Sequence, residues 1–387
     1  MIRRTLALLL VLMLAALSAS ADAAFTAGEL TEDFDFLCEA LRDSYPFLPV
    51  LARRGIDAEA LFAETRALIA GGGGDVNRFY ALTGQMFARM DHFAHLGWVD
   101  PAGYADYLGY AAEGMLSQKR RILVEDPGTR AIYAQLSTSE APARAEPPGI
   151  EADYFPEQAA LRLRVHSFSH ARIGRDRRAV EDALARYPEA RHILLDITGN
   201  RGGSDYYWSA VLVAPFGGTW PHEVVTWVKP GSLLLGEIGE VELRRADEQS
   251  EGSVPAFARE LGLSHYLKEE WVLPFEPYDG HTVGEGIRRW VLIDGGVYSA
   301  ADGFAAFCGD TGWATLVGKP AMGDGADGMS ALLVRLPRTG LLFRFKAGAA
   351  ANADGTLNAE TGTRPDFLCK PRETPLQACL RLIDAGL

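Results

Sequence analysis

Arg288-Arg-Trp-Val-Leu-Ile-Asp-Gly-Gly-Val-Tyr-Ser-Ala-Ala-Asp-Gly-Phe-Ala-Ala-Phe-Cys308 is the stretch from which the architecture can be read. Trp290 to Ile293 is an apolar run short enough for a buried strand, followed by Gly295 and Gly296. Ala300 to Cys308 is rich in helix formers, with Phe304, Phe307 and Cys308 at helical spacing. The glycines permit a sharp turn, and Ser299 falls where the helix begins. A hydroxyl there lies beside unpaired backbone N–H groups and the positive end of the helix dipole, which suits a nucleophile facing a developing oxyanion. The same residues fit a capping box, with Ser299 as N-cap and Asp302 three positions on, and capping serines are far commoner than catalytic ones. This segment alone leaves both readings open.

Working outward, strands and helices alternate. Leu161 to Val165 and His192 to Ile197 read as strands, with a helix over Asp176 to Tyr187 between them and another around Tyr206 to Val213. Further strands are expected at Val224–Val228, Ala314–Val317, Ala331–Leu336 and Leu341–Phe345. Thr374-Pro375 opens a final helix through Cys379 and Ile383. This alternation gives an α/β fold with a mainly parallel sheet flanked by helices. Before it, Phe34 to Met90 carries three helical stripes: Phe36, Leu37, Leu41 and Tyr45; Leu61, Thr65, Leu68 and Ile69; and, after a cap at Asp75, Phe79, Leu82, Met86 and Met90. The expected organisation is a small helical domain over 25–100, a connecting region over 101–155 with an exposed loop at Ala141 to Pro148, and an α/β core over 156–387.

Arg3 and Arg4, the apolar run Leu6 to Leu17 and the small residues before Ala24 read as a cleavable leader over 1–23, cut after Ala21 or Ala23. No later segment has the length of a transmembrane helix, so an exported protein, periplasmic or extracellular, with no membrane span after cleavage is expected. A formal charge of −13 without a long basic run argues against nucleic acid as a partner. In an oxidising compartment Cys369 and Cys379 make the most plausible local bridge, whereas Cys308 reads as a buried thiol. No Cys/His spacing resembles a metal site, and no metal or organic cofactor is implied.

Three further segments carry chemistry. Leu194-Leu-Asp-Ile-Thr-Gly-Asn-Arg-Gly-Gly-Ser204 is a strand running into a glycine turn, where Gly199, Gly202 and Gly203 let backbone N–H groups approach a ligand. That can build an oxyanion hole or simply a tight turn, and it matches neither phosphate-binding glycine motif. Met90-Asp-His-Phe-Ala-His-Leu-Gly-Trp98 holds His92 and His95, three apart and on one helix face if the helix persists; either can serve as a general base. Asn358-Ala-Glu-Thr-Gly-Thr-Arg-Pro-Asp366 supplies Glu360, either a group that orients an imidazole or a solvated loop carboxylate.

Taken together these segments resemble the signature regions of the tail-specific (C-terminal-processing) serine peptidase family, in particular its tricorn-core-like branch without a PDZ domain. The resemblance rests on five segments in order. The first is the helical region ending near a histidine, and the second is Leu195-Asp-x-x-Gly-Asn-x-Gly-Gly203. Tyr298-Ser-Ala-Ala-Asp302 follows, then Leu316-Val-Gly318 with Gly323-Asp-Gly325, and finally Gly362-Thr-Arg-Pro-Asp366. It implies a crotonase/ClpP-like core, Ser299 as nucleophile, and an oxyanion hole from the N–H groups near Gly202 and Gly203 and of Ala300. Many members of the family use a lysine base, but Asp324 stands in that slot and Lys319 reads as a surface residue. The histidine-using branch fits better, with His95 or His92 as base and Glu360 orienting it. Asp302 is expected to cap the helix, and Asp196 and Asn200 to brace the glycine turn. The implied activity is hydrolysis of protein or peptide substrates through an acyl-enzyme; the competing reading is a non-catalytic carrier of apolar ligands or peptides on the same scaffold. Oligomeric state is not written in the sequence.

Overall fold

The computed structural model describes residues 25–137, 148–238, 243–246, 254–278, 280 and 286–387. The expected leader and nearly all of the Ala141–Pro148 loop lie outside these residues. The chain forms two compact units. One comprises the residues up to Arg42 with Leu51–Arg144 and Leu333–Phe345, and the other comprises Asp43–Val50, Ala145–Leu332 and Lys346–Leu387. Among the described residues no helix is long and apolar enough to cross a membrane.

In the first unit, helices α1 (Ala27–Ser44), α2 (Ala58–Ala70) and α3 (Val76–Arg89) follow the three expected stripes. Asp57 and Asp75 start α2 and α3 by accepting backbone N–H groups of their first turns. Leu61, Ile69, Phe79 and Met86 are buried, but Leu68 of the second stripe is exposed. Residues 101–137, expected as part of a connecting region, instead fold into α4 (Pro101–Ala112), α5 (Gln118–Glu125) and α6 (Pro127–Ser137). Their stability comes from local anchors that hydrophobic periodicity does not reveal: the Asp100 and Ser117 caps, and Tyr133, whose hydroxyl donates to Val99 O at 2.7 Å. Strands β1 (Gly97–Trp98), β10 (Leu332–Arg335) and β11 (Leu342–Phe345) form a three-stranded sheet, β1 antiparallel to β11. The late segment is also held by Asp33, a buried carboxylate of α1 that accepts from Arg338 N at 2.7 Å and Thr339 N at 2.8 Å.

The second unit is built on a six-stranded sheet. Its strands are β2 (Glu151–Phe155), β3 (Ala160–Arg164), β4 (His192–Asp196), β8 (Arg288–Ile293), β9 (Thr315–Gly318) and β13 (Phe367–Leu368), in the order β13-β9-β8-β4-β3-β2. All neighbours are parallel except β2 and β3. Both faces are covered, which explains why β4 and β8 read as unbroken apolar runs. Alternate residues part to opposite faces. Leu161, Ile193, Leu195, Val291 and Ile293 pack with α7 (Ile173–Arg186) and α9 (Ala300–Thr311), whereas Leu194, Trp290, Leu292 and Val317 pack with α11 (Pro375–Asp384). Thr374 and Gln377 close the capping box of α11.

The sheet's far face corrects the expected disulfide: all four cysteines are free thiols. Cys379 points from α11 into the apolar cluster and Cys369 packs partly buried against the same cluster, so both serve as small hydrophobic side chains. Cys308 is a buried thiol on α9.

A second sheet, antiparallel throughout its described pairings, has the order β12-β5-β7-β6, from β5 (Trp220–Val228), β6 (Arg244–Arg245), β7 (His265–Leu273) and β12 (Gly348–Ala349). The helix expected around Tyr206–Val213 is a single turn, α8 (Asp205–Trp208), which widens into a π-turn over Ser209–Val213.

Candidate active site

The turn after β8 is assembled almost wholly from backbone groups. Asp294 Oδ1 accepts from Gly199 N at 2.8 Å and Gly296 N at 2.9 Å, drawing the glycine turn of β4 against that of β8. Tyr298 N then donates to Asn200 O at 3.1 Å and Ser299 N to Gly323 O at 3.0 Å. The nucleophile candidate is thus held between two neighbouring loops. Its backbone is strained, at φ 55° and ψ −132°, and its side chain makes no capping bond to α9. The capping box expected here does not form. Asp302 instead turns away to accept from Thr363 N at 3.0 Å and Gly325 N at 3.2 Å. Asp302 is fully buried, and burial raises its carboxyl above the ordinary range despite those bonds. A capping serine would have extended geometry and accept a backbone N–H of the first turn on its hydroxyl oxygen; Ser299 does neither.

Gly202 lies directly beside this turn. At φ +90° it adopts a conformation that only glycine tolerates easily, and a Cβ would sit 2.7 Å from Tyr298 O, 2.8 Å from Ala300 N and 3.1 Å from Ser299 Cβ. The N–H of Gly202 is already used, donating to Asn200 Oδ1 at 2.8 Å. Phe168 pairs with Gly203 as a parallel bridge, through bonds from Phe168 N to Gly202 O and from Ser204 N to Phe168 O, so the N–H of Gly203 takes no part in it. Asn200, fully buried, also donates from Nδ2 to Val165 O at 3.0 Å, and Asp196 Oδ1 accepts from the Thr198 hydroxyl at 2.7 Å. Both side chains brace the turn from within.

The third loop is Gly323-Asp-Gly325, where the sequence shows an aspartate in the lysine slot. In the structure Asp324 is buried with φ 67°, and it accepts the Tyr298 hydroxyl on Oδ2 at 2.8 Å. Its loop is pinned by Asn358, whose Oδ1 accepts from Asp324 N at 2.8 Å and Gly325 N at 3.2 Å. Asn358 begins the one-turn helix α10 (Asn358–Thr361), which carries Glu360, half-buried, two residues on. Lys319 is exposed. A different lysine does approach: Lys346 is buried, with Nζ 2.6 Å from Asp327 Oδ1 and also donating to Met329 O. Burial alone would lower its pKa, but Asp327, Asp324 and Asp205 hold it above the usual lysine value, so it is a fixed cation rather than a base. Sequence reasoning passed over Lys346 because nothing local marks it.

Two outcomes are expected from this buried group. Lys346→Met removes the counter-charge of Asp327 and should destabilise the protein by about 3–5 kcal/mol in denaturant unfolding. For Asp324, burial is the main cause that pushes the carboxyl up to about 7, from 3.8 when unfolded. The folded form therefore keeps the proton longer, and the group's contribution to stability is full below pH 3.8 and lost as pH rises through about 7. Asp324→Asn, which cannot ionise, should melt above the wild type at pH 8, with the difference vanishing toward pH 4. An equal shift in Tm at both pH values would show that Asp324 ionises without penalty.

The histidines belong to the first unit, whereas Ser299, Ala300, Gly202, Gly203 and Glu360 belong to the second. The helix expected to carry His92 and His95 on one face stops at Arg89. Asp91, His92, Ala94 and His95 all have positive φ, so the two rings are set by a tight left-handed turn instead. His92 is exposed with Nδ1 3.2 Å from Leu96 O, and His95 is half-buried. Of the eight non-glycine residues with positive φ among the described residues, six lie in the Asp91–His95 turn, at Ser299 or at Asp324. Each costs roughly 1–3 kcal/mol and persists only where the surroundings impose it, and such strain clusters at functional sites. Among the described residues no group of three histidine, cysteine, aspartate or glutamate side chains is arranged to hold a metal ion.

The sequence profile of peptidase family S41 matches residues 160–369. Comparison with curated proteins found no match. Among solved structures, a candidate peptidase from Parabacteroides merdae aligns over 94% of this chain and 99% of its own, at 17% identity and a TM-score of 0.55. Mature CPAF aligns over 92% and 96%, at 12% identity and a TM-score of 0.52. At these identities the likeness is one of fold.

Proposed function

The chain belongs to peptidase family S41, a serine-type peptidase, and from that premise we propose that it cleaves protein or peptide substrates through an acyl-enzyme on Ser299. Ser299 Oγ attacks the scissile carbonyl and passes its proton to a histidine, which returns it to the leaving amine. The backbone N–H groups of Ala300 and Gly203 hold the oxyanion, with Gly202 as the side-chain-free floor beside them. His95 is the base, being half-buried where His92 is exposed; His92 is the alternative, because Leu96 O on its Nδ1 would leave Nε2 with the lone pair. Glu360 orients the imidazole. Residues 1–23 direct export to the periplasm or the extracellular space.

The observation that carries this reading is the release of Ser299 from capping. A serine at a helix start, strained, with Asp302 drawn elsewhere and a glycine beside it where any side chain would clash, keeps its hydroxyl for chemistry. The test is digestion of an unfolded protein by the purified mature enzyme, read by mass spectrometry beside Ser299→Ala, His95→Ala and His92→Ala. Loss of every cleavage product with Ser299→Ala and one of the histidine variants supports the mechanism and assigns the base. Cleavage that survives Ser299→Ala removes it.

A further inference from the structure

Arg201 sits in the middle of the glycine turn, and both of its neighbours are fixed to the nucleophile segment. Asn200 O accepts from Tyr298 N, and Gly202 lies so close to residues 298–300 that no Cβ fits. The Arg201 backbone is therefore fixed beside the segment that carries Ser299. Its side chain is exposed yet directed: the guanidinium carbon stands 5.2 Å from the centroid of the Tyr298 ring, and Nη1 is 3.8 Å from Met322 Sδ. The platform beneath it is anchored. The Tyr298 hydroxyl is held by Asp324, and Met322 N donates to Val297 O at 2.7 Å. Among the described residues this guanidinium meets no carboxylate, in contrast to Arg162, Arg164, Arg172, Arg335 and Arg381, which all do.

A planar cation parked on an aromatic face, with one N–H on a weakly accepting thioether and no carboxylate partner, is built to receive a carboxylate, which it can bind through two parallel bonds. The chain's net charge gives no long-range attraction for an acidic peptide, with 51 acidic residues against 38 basic ones.

We propose that Arg201 is a specificity-determining residue that receives a carboxylate of the bound peptide beside the scissile bond. The proposal rests on Ser299 being the nucleophile. The carboxylate has two sources, an Asp or Glu side chain near the cleaved bond or the free C-terminus of the substrate.

The test is cleavage of a synthetic peptide library, followed by kinetics on matched peptides built from its best substrate. One pair carries Glu or Gln at the enriched position, and one pair ends in a free acid or an amide. Wild type should prefer one carboxylate-bearing peptide over its neutral partner by about two- to fivefold in kcat/KM, as suits a partly solvated ion pair, and the preference should shrink as salt rises. Which pair shows it identifies the source. Arg201→Gln should bring that ratio to about one, and Arg201→Glu should turn the preference toward a Lys-bearing peptide. An unchanged ratio in both variants, with Ser299→Ala inactive, overturns the role of Arg201 alone. A Ser299→Ala enzyme that still cleaves overturns the serine mechanism instead, and this proposal with it.

Discussion

Ser299→Ala should lower kcat on a peptide substrate by about 10,000-fold or more, while its Tm stays within a few degrees of wild type. The two readouts separate the alternatives that the sequence left open. A capping hydroxyl contributes typically about 1 kcal/mol to stability, and its loss would be seen in unfolding and not in turnover. A nucleophile gives the reverse pattern. The structure favours the reverse, because the hydroxyl makes no cap bond and alanine suffers the same positive-φ penalty as serine. Activity remaining in the variant would be that of positioning and oxyanion binding with water as nucleophile, and no acyl-enzyme should be trapped. Unchanged turnover with a lowered Tm would return Ser299 to the role of a cap.

The second large effect is expected at Gly202. Gly202→Ala should cost about 100- to 1,000-fold in kcat/KM, with the loss mainly in kcat. The new Cβ cannot be accommodated by rotating a side chain, since two of its three nearest contacts are the backbone atoms Tyr298 O and Ala300 N, both closer than 3 Å. Either the glycine turn or the nucleophile turn must shift by several tenths of an ångström. Such a shift moves the Ala300 N–H away from the oxyanion it is proposed to bind. The φ of +90° adds a local strain of about 1–2 kcal/mol, which unfolding should detect. Cleavage at the wild-type rate by a folded Gly202→Ala protein would show that the two turns need not touch for catalysis.

The readable parts of this chain were those where burial writes itself into a short run. β4 and β8 are covered on both faces and appear as continuous apolar segments, and α11 announces itself with Thr374-Pro375. The juxtaposition of Gly202 with Ser299 and Ala300 follows from parallel pairing of β4 with β8, which brings the ends of both strands to one edge. β7 went unrecognised because Lys268, Glu269 and Glu270 occupy its middle, and only its ends are apolar and buried. The left-handed turn at 91–95 has no glycine to signal it, so the helical pattern seemed to continue. Asp302 fits two roles at the level of spacing, and the partners that decide between them, Gly325 and Thr363, lie 23 and 61 residues away. Lys346 and Asn358 act through contacts 19 and 34 residues away, likewise invisible to any local motif.

The return of residues 333–345 to the first unit has a consequence for the order in which the molecule can be completed. Asp33 is buried, yet the two backbone groups that satisfy it are 305 and 306 residues further along. At a synthesis rate of about 5–20 residues per second, roughly 15–60 s pass between the emergence of α1 and that of its partners. Throughout that interval the nascent first unit lacks two strands of its sheet and carries a carboxylate that cannot be buried without cost. Its final closure therefore waits on a segment made after Ser299, so the order of the gene and the order of folding differ.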